Sequence, residues 1–149
     1  MVVKGRPAVA IAVVVDIALH AARGTVSAVD IAERLAMPRR SLEPILQPLS
    51  RAGILSSTRG PKGGYRLARP RRQISAADIV RAVQEDAPAE AAGEGETAPL
   101  FTAVVGPLWA EMEAEVMAML QKQTLDGLVR RAVAAGVARL PTEPILFQI

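Results

Sequence analysis

Hydrophobic and polar positions recur with a helical period over most of this chain and with a strand period in one short stretch. The apolar run Ala8 to Val15 is closed by Asp16, and Asp16, His20 and Arg23 fall at i, i+4 and i+7. That spacing draws a polar stripe on an otherwise apolar helix, so His20 is expected at the surface or against a partner, not as a ligand. Pro7 suits the first turn of this helix, where its missing N–H is not needed. Ser27 with Asp30 three residues on has the form of a capping box, and Val26 with Ile31 that of a hydrophobic staple. The short helix they open carries Ile31, Ala32 and Leu35 and stops at Met37-Pro38, because the residue before a proline is pushed out of the helical region. The next helix is expected from Arg39 or Arg40, with Leu42, Ile45, Leu46, Leu49 and Ala52 on one face and Gly53 ending it in the left-handed conformation. Pro44 fits its first turn. Pro48 lies deeper, removes the donor to the Pro44 carbonyl and predicts a bent or partly irregular helix.

Two short helices joined by a tight turn outline a helix-turn-helix. Beyond Gly53, Ile54 to Arg59 favours a strand, Gly60-Pro61-Lys62-Gly63-Gly64 is a dense turn signal, and Tyr65 to Ala68 returns with Tyr65 and Leu67 on one face. This predicts a β-hairpin with Arg59 and Lys62 at its tip, where glycines let the backbone approach another surface closely. A nucleotide-cradling loop fails on context, since Lys62 precedes two glycines and a strand instead of a Ser or Thr opening a helix.

In the remainder, Ile74, Ser75, Asp78 and Ile79 repeat the staple and capping box and open a helix burying Ile79, Val80 and Val83. Residues 86–99 are mostly Ala, Gly, Pro and Glu and offer no large apolar side chain against the cost of ordering, so a flexible loop is expected. Gly106-Pro107 is expected to break the apolar piece Phe101 to Val105 from a main helix in which Leu108, Met112, Val116, Met119 and Leu120 recur at helical spacing. Such a stripe must be covered, by its own domain or by a second copy. Thr124 can cap a last helix through Leu128, Val129 and Ala132 that ends at Gly136, ahead of a tail closing on the apolar Ile145 to Ile149.

Composition narrows the chemistry. A chain of 149 residues buries roughly two thirds of its unfolded surface and needs no staple. It has no cysteine, which removes disulfides, thiolate zinc sites, cysteine-ligated iron-sulfur clusters and thiol nucleophiles together. With one histidine, neither a Ser-His pair nor a His-rich metal site is expected, and no catalytic constellation points to an enzyme or a cofactor. No stretch reaches the ~18 apolar residues of a membrane span. Lys4 and Arg6 precede an apolar run but no small-x-small cleavage pattern follows before Arg23, so a cytoplasmic protein is expected.

Charge is segregated. Residues 1–72 hold 13 Lys and Arg against 4 Asp and Glu, a balance of +9, while residues 73–149 hold 5 against 11, a balance of −6. The N-terminal half therefore suits a polyanion, and with only four aromatic residues, three of them in the acidic half, duplex DNA fits better than a single strand. Arg40, Glu43, Gln47 and Arg51 lie at i, i+3, i+7 and i+11 on the polar face of the second helix, and they are residue types that pair with base edges in the major groove. A merely solvated face would use the same types. Arg39, Ser41 and Arg66 complete the candidate DNA-facing set with Arg59 and Lys62 of the hairpin.

Lys4-Gly5-Arg6 through Ala21, Ile31 to Arg34, Leu42-Glu43, Ala52 to Leu55 and above all the ten residues Arg59 to Ala68 resemble the Rrf-two family of bacterial winged-helix transcription regulators. The similarity runs more loosely to about Val133, through Thr124-Leu125-Asp126-Gly127-Leu128-Val129. It implies a DNA-binding homodimer whose helix beginning near Arg40 enters the major groove while the hairpin tip touches the minor groove. Glu43 and Arg59 match family positions that contact DNA. Cluster-sensing members hold iron and sulfide through three cysteines in a loop corresponding to residues 87–99. This chain has none, and Pro44 and Pro48 also depart from the family pattern.

The expectation is thus a mainly α fold with a small β-hairpin, a winged helix-turn-helix followed by a long dimerisation helix. Its divisions are 1–86 for DNA binding, 87–99 for the loop, 100–136 for dimerisation through Leu108, Met112, Val116 and Met119, and 137–149 for the tail. The expected partners are duplex DNA and a second copy, with room for an effector; no metal is expected. A homodimeric repressor leads, and an interaction module keeping the winged helix as a scaffold is the rival, separable by salt-dependent, sequence-selective duplex binding.

Overall fold

A computed structural model describes residues 5–21, 24–86 and 91–138. Arg23, residues 87–90 of the expected loop and residues 139–149 of the tail lie outside them. The elements are α1 (Arg6–His20), α2 (Ala28–Arg34), a 3₁₀ turn (Arg39–Ser41), α3 (Glu43–Arg51), β1 (Leu55–Thr58), β2 (Gly64–Leu67), a second 3₁₀ turn (Arg71–Gln73), α4 (Ala76–Glu85), a π-helical turn (Phe101–Val105), α5 (Gly106–Gln121) and α6 (Leu125–Ala134). This is the expected mainly helical winged architecture.

The apolar run after Pro7 makes α1 the axis of the core, because Val13, Val14 and Ile17 face inward on successive turns and are fully buried. α1 packs on α4, α6 and β2, and the core is filled out by Ile31, Leu42, Leu46, Leu49, Ile54, Ile74, Ile79 and Leu125. Local signals set the helix ends. Ser75 and Asp78 form the full capping box, each side chain accepting from the other's backbone N–H at 3.0 Å. Ser27 accepts from the Asp30 N–H and Thr124 from the Gly127 N–H, both at 3.1 Å. Three helices close in the same manner, with paired backbone bonds around a left-handed residue: Ala36 after α2, Gly53 after α3 and Gly136 after α6. Ala36 is the exception in kind, an L-residue at φ 51° where a glycine would rest without steric cost. Ala36→Gly is therefore expected to stabilise the fold by about 1 kcal/mol, raising the thermal midpoint by ~2–4 °C. Calorimetry showing an unchanged or lower midpoint would count against strain at this turn.

The hairpin pairs Leu55 with Leu67, Ser56 with Arg66, Ser57 with Tyr65 and Thr58 with Gly64. Val26 adds a third short strand segment, exchanging both backbone bonds with Tyr65 at 2.8 Å. This contact dictates Gly64, because a Cβ there would sit 2.5 Å from the Val26 carbonyl oxygen. A Cβ on Gly63 would sit 2.3 Å from the Thr58 carbonyl oxygen. These two glycines are required by approach within the protein, whereas a Cβ on Gly60, at φ 109°, would meet open space.

The structure departs from the sequence pattern at Asp16, at the start of α3, at Ala52 and at Gly106-Pro107. Asp16 does not continue a solvent-facing stripe with exposed His20: it is 7% exposed, and its carboxylate accepts from Arg34 Nε at 2.8 Å and Nη2 at 3.0 Å, tying α1 to α2. That hydrogen bond raises the Arg34 pKa above its ordinary value, outweighing the partial desolvation that lowers it. Arg34→Ala would leave the buried carboxylate with His20 Nδ1, 3.5 Å away, in place of the two-pronged arginine, and is expected to cost about 2–3 kcal/mol, less than a fully buried broken pair because the arginine edge is open to water. Urea titration should show that loss, with much of it recovered in Asp16→Leu combined with Arg34→Met; a double variant no more stable than the single would refute the pairing.

The recognition-type helix starts at Glu43, not at Arg39 or Arg40, which sit in the 3₁₀ turn; Ala52 is exposed at its end. Helix α3 continues through Pro48, and the Pro44 carbonyl that Pro48 leaves without an amide donor accepts instead from the Arg6 guanidinium of α1. Nor does Gly106-Pro107 break the chain, which is helical from 99 to 121. The Gly106 N–H donates to the Phe101 carbonyl, five residues back, and this wider turn lets the Pro107 ring enter the helix.

Candidate nucleic-acid interface

Helix α3 is positioned by its apolar face. Ile45, Leu46 and Leu49 are buried, so Glu43 and Gln47, one turn apart, must point outward, as both do. The hairpin is positioned by Leu55, buried in the core, and by the Val26 bridge, while the Thr25 hydroxyl donates to the Lys62 carbonyl at 2.9 Å and holds the tip. Between α3 and the hairpin runs an open groove of about 820 Å³ lined by Arg39, Glu43, Gln47, Ser50, Arg51, Arg59 and Gly60. Its other wall is formed by Ser27 to Val29 at the start of α2 and by Ser57, Thr58 and Tyr65.

The structure thus brings together Arg39, Glu43, Gln47, Arg51 and Arg59 of the residues expected from the sequence. Arg40 lines a neighbouring depression with Arg39, Glu43 and Tyr65. Ser41 and Lys62 are exposed outside that groove, and Arg66 stands on the other face of the hairpin, its Nε 3.4 Å from Ser56 Oγ. Arg51 is shared: its Nη2 lies 3.0 Å from Asp86 Oδ1 at the end of α4. The hydroxyls of Ser27, Ser57, Thr58 and Tyr65 also line the groove, and a reading of charged and amide residues alone does not find them; Ser50 lines it too, but its Oγ is buried. The strand period carries a signal for one of them, since Ser57 lies opposite Tyr65.

Chemically, the groove offers three guanidinium groups, one carboxylate, one amide and the hydroxyls of Ser27, Ser57, Thr58 and Tyr65, spread over α3, the preceding turn, the start of α2 and the hairpin. Cations and hydroxyls serve phosphates, while the outward Glu and Gln serve base edges.

The second expected surface is helix α5. None of its residues is buried; Leu108 is 60% and Met119 68% exposed, with Met112 and Val116 half-buried between them. It touches α4, where Arg81 Nη2 donates to Gln121 Oε1 at 3.1 Å. Among the described residues, no helix is long and apolar enough to cross a membrane.

The family model for Rrf2, described as an iron-dependent transcriptional regulator, matches residues 4–131. The HTH-type transcriptional regulator IscR of Vibrio campbellii is 32% identical over 128 residues, covering 85% of this chain and 75% of that protein. A putative HTH-type transcriptional regulator, ORF2 of Azotobacter vinelandii, is 33% identical over 92% of this chain and 83% of its own length. Among solved structures, T. potens IscR superposes with a TM-score of 0.70 at 28% identity, covering 93% of both chains. The oxidized form of Staphylococcus aureus CymR superposes with a TM-score of 0.67 at 29% identity, covering 87% of this chain and 96% of its own. These relatives are named as regulators, not enzymes. The iron in the family description meets a different donor set here. The chain has no cysteine, and among the described residues no group of three or more His, Cys, Asp or Glu is placed to hold a metal ion. The residues do not fit a thiolate-held cluster.

Proposed function

We propose that this chain, which belongs to the Rrf2 family of transcriptional regulators, binds duplex DNA as a homodimer and represses transcription in the cytoplasm without a cysteine-held iron-sulfur cluster. The observation that carries the reading is the groove in which Arg39, Glu43 and Gln47 of the helix-turn-helix face Arg59 of the hairpin. In this proposal α3 enters the major groove, whose width of about 12 Å admits a helix, and the hairpin tip follows the backbone into the minor groove. Arg40, Ser41, Arg51, Lys62 and Arg66 contribute at the margins. Residues 1–86 form the DNA-binding part and 100–136 the dimerisation part through Leu108, Met112, Val116 and Met119, with 87–99 as the connection between them and 137–149 as the tail. A two-fold dimer places its half-sites about one helical turn, ~34 Å, or a multiple of it apart.

Support for a DNA partner also comes from the +9 balance of residues 1–72. The test is selection of bound fragments from the source genome, followed by titration of the selected duplex and a scrambled one at several salt concentrations. The expected result is at least a hundredfold preference for the selected duplex, with affinity falling linearly in log salt. Equal, weak binding to both duplexes would favour a scaffold role for the winged helix.

A further inference from the structure

We propose that Arg71, Arg72 and Arg130 form a second site, which binds a small multivalent oxyanion bearing phosphate or carboxylate groups. These residues line a cavity of about 690 Å³ together with Pro70 and Asp126. Three guanidinium groups share a single carboxylate there, so the open cavity carries excess positive charge. The carboxylate is divided between two of them: Asp126 Oδ1 lies 3.5 Å from Arg71 Nη2, and Asp126 Oδ2 lies 3.1 Å from Arg130 Nε. Arg71 Nη1 is buried and has no hydrogen-bond partner among the described residues. Nη1 is closed off from solvent, but Nη2 meets its counter-charge only at 3.5 Å, a distance too long for a hydrogen bond of normal strength, and is the edge a further oxyanion can take up.

Guanidinium forks match the paired oxygens of carboxylates and phosphates, so a planar or tetrahedral oxyanion is the ligand class that satisfies several arginines at once. The backbone around the cavity is held firmly. The Leu125 N–H donates to the Ile74 carbonyl and the Ala76 N–H to the Gln123 carbonyl, both at 2.8 Å, fixing the start of α6 against the 3₁₀ turn that carries Arg71 and Arg72. An oxyanion here bridges the connector leaving the hairpin and the helix following α5. None of the five lining residues belongs to the groove between α3 and the hairpin.

The experiment is calorimetric titration of the full chain, without DNA, using inorganic phosphate, pyrophosphate and citrate at an ionic strength fixed with chloride. One saturable event per chain is expected for at least one of the three probes. Arg71→Ala and Arg130→Gln should each weaken it at least tenfold; Arg130 is 70% exposed, so its variant keeps the test intact if Arg71→Ala fails to fold. Asp126→Asn should tighten binding several-fold, because it frees two arginines from their competing carboxylate, whereas a merely structural cluster gains nothing from that change. The proposal is overturned if no probe saturates, if both arginine variants bind as the wild type does, or if Asp126→Asn binds more weakly. It is also overturned if Arg71→Ala and Arg130→Gln each flatten the salt dependence of duplex binding by about 0.9, the signature of a DNA phosphate held in this cavity. Because the calorimetry contains no DNA, its outcome is independent of whether the groove binds a duplex.

Discussion

Replacing Met112 and Val116 together by glutamate is expected to turn the protein from a dimer into a monomer. Helix α5 has no buried residue in a single chain, yet Leu108, Met112, Val116 and Met119 give it an apolar side of four large residues. An apolar stripe that its own chain covers only in part, through α4, favours a further cover, and a second copy of the same helix is self-complementary under two-fold symmetry. An unpaired charge forced into that seam costs about 3–5 kcal/mol, and symmetry enters each substitution twice, so the dimer constant should weaken by at least about a thousandfold. Glutamate is a good helix former, and neither position is buried within the chain, so far-UV circular dichroism should not change. Sedimentation at micromolar concentration reads the mass directly. A persistent dimer would move the interface off this stripe, with exposed Leu100 and Val104 on the preceding turns as the next segment to vary.

How far the fold could be read beforehand depended on whether a feature is local in the chain. Caps at Ser27, Ser75 and Thr124, the left-handed Gly53 and Gly136 and the hairpin between Leu55 and Leu67 each rest on residues within a few positions, and each appears where the pattern places it. Asp16 was misread because periodicity registers that a position is polar but not whether a partner meets it. Its partner Arg34 stands 18 residues on, in another helix. Pro48 poses the same problem. Its local effect, an orphaned carbonyl at Pro44, was legible, while the remedy came from Arg6, 38 residues earlier. In the groove, α3 supplied Glu43 and Gln47 through its own period. The hydroxyls of Ser57 and Thr58 joined them only through the pairing of the hairpin with Val26 and its packing against α3, which no single element encodes.

Glu43→Ala and Arg59→Ala should separate selectivity from affinity. Glu43 carries a negative charge and only acceptors, so close to a duplex it loses against phosphates. It is tolerable at the first turn of α3 if it accepts from a base, chiefly the cytosine amino group, or holds a neighbouring arginine in place; Arg39 lines the same groove. Removing it takes away a repulsive charge along with a reader. Affinity for scrambled duplexes should stay level or rise, while the preference for the selected duplex narrows by about 1–3 kcal/mol, roughly five- to a hundredfold. Arg59 differs in kind, being an exposed cation at the hairpin tip that releases counterions from any sequence. Arg59→Ala should lower affinity for selected and scrambled duplexes alike and reduce the slope of log affinity against log salt by about 0.9. If Arg59 also enters a narrow A·T-rich minor groove, part of the selectivity goes with it, and changing only those base pairs in the selected duplex will show it. Neither side chain is buried, so both variants should keep the wild-type melting temperature within about 2 °C. Titration of both proteins on both duplexes at four salt concentrations yields the two slopes and the two preferences. Should Glu43→Ala lose affinity for every duplex while its preference stays intact, Glu43 positions α3 without reading a base, and the bases must be read by Gln47 and the arginines beside it.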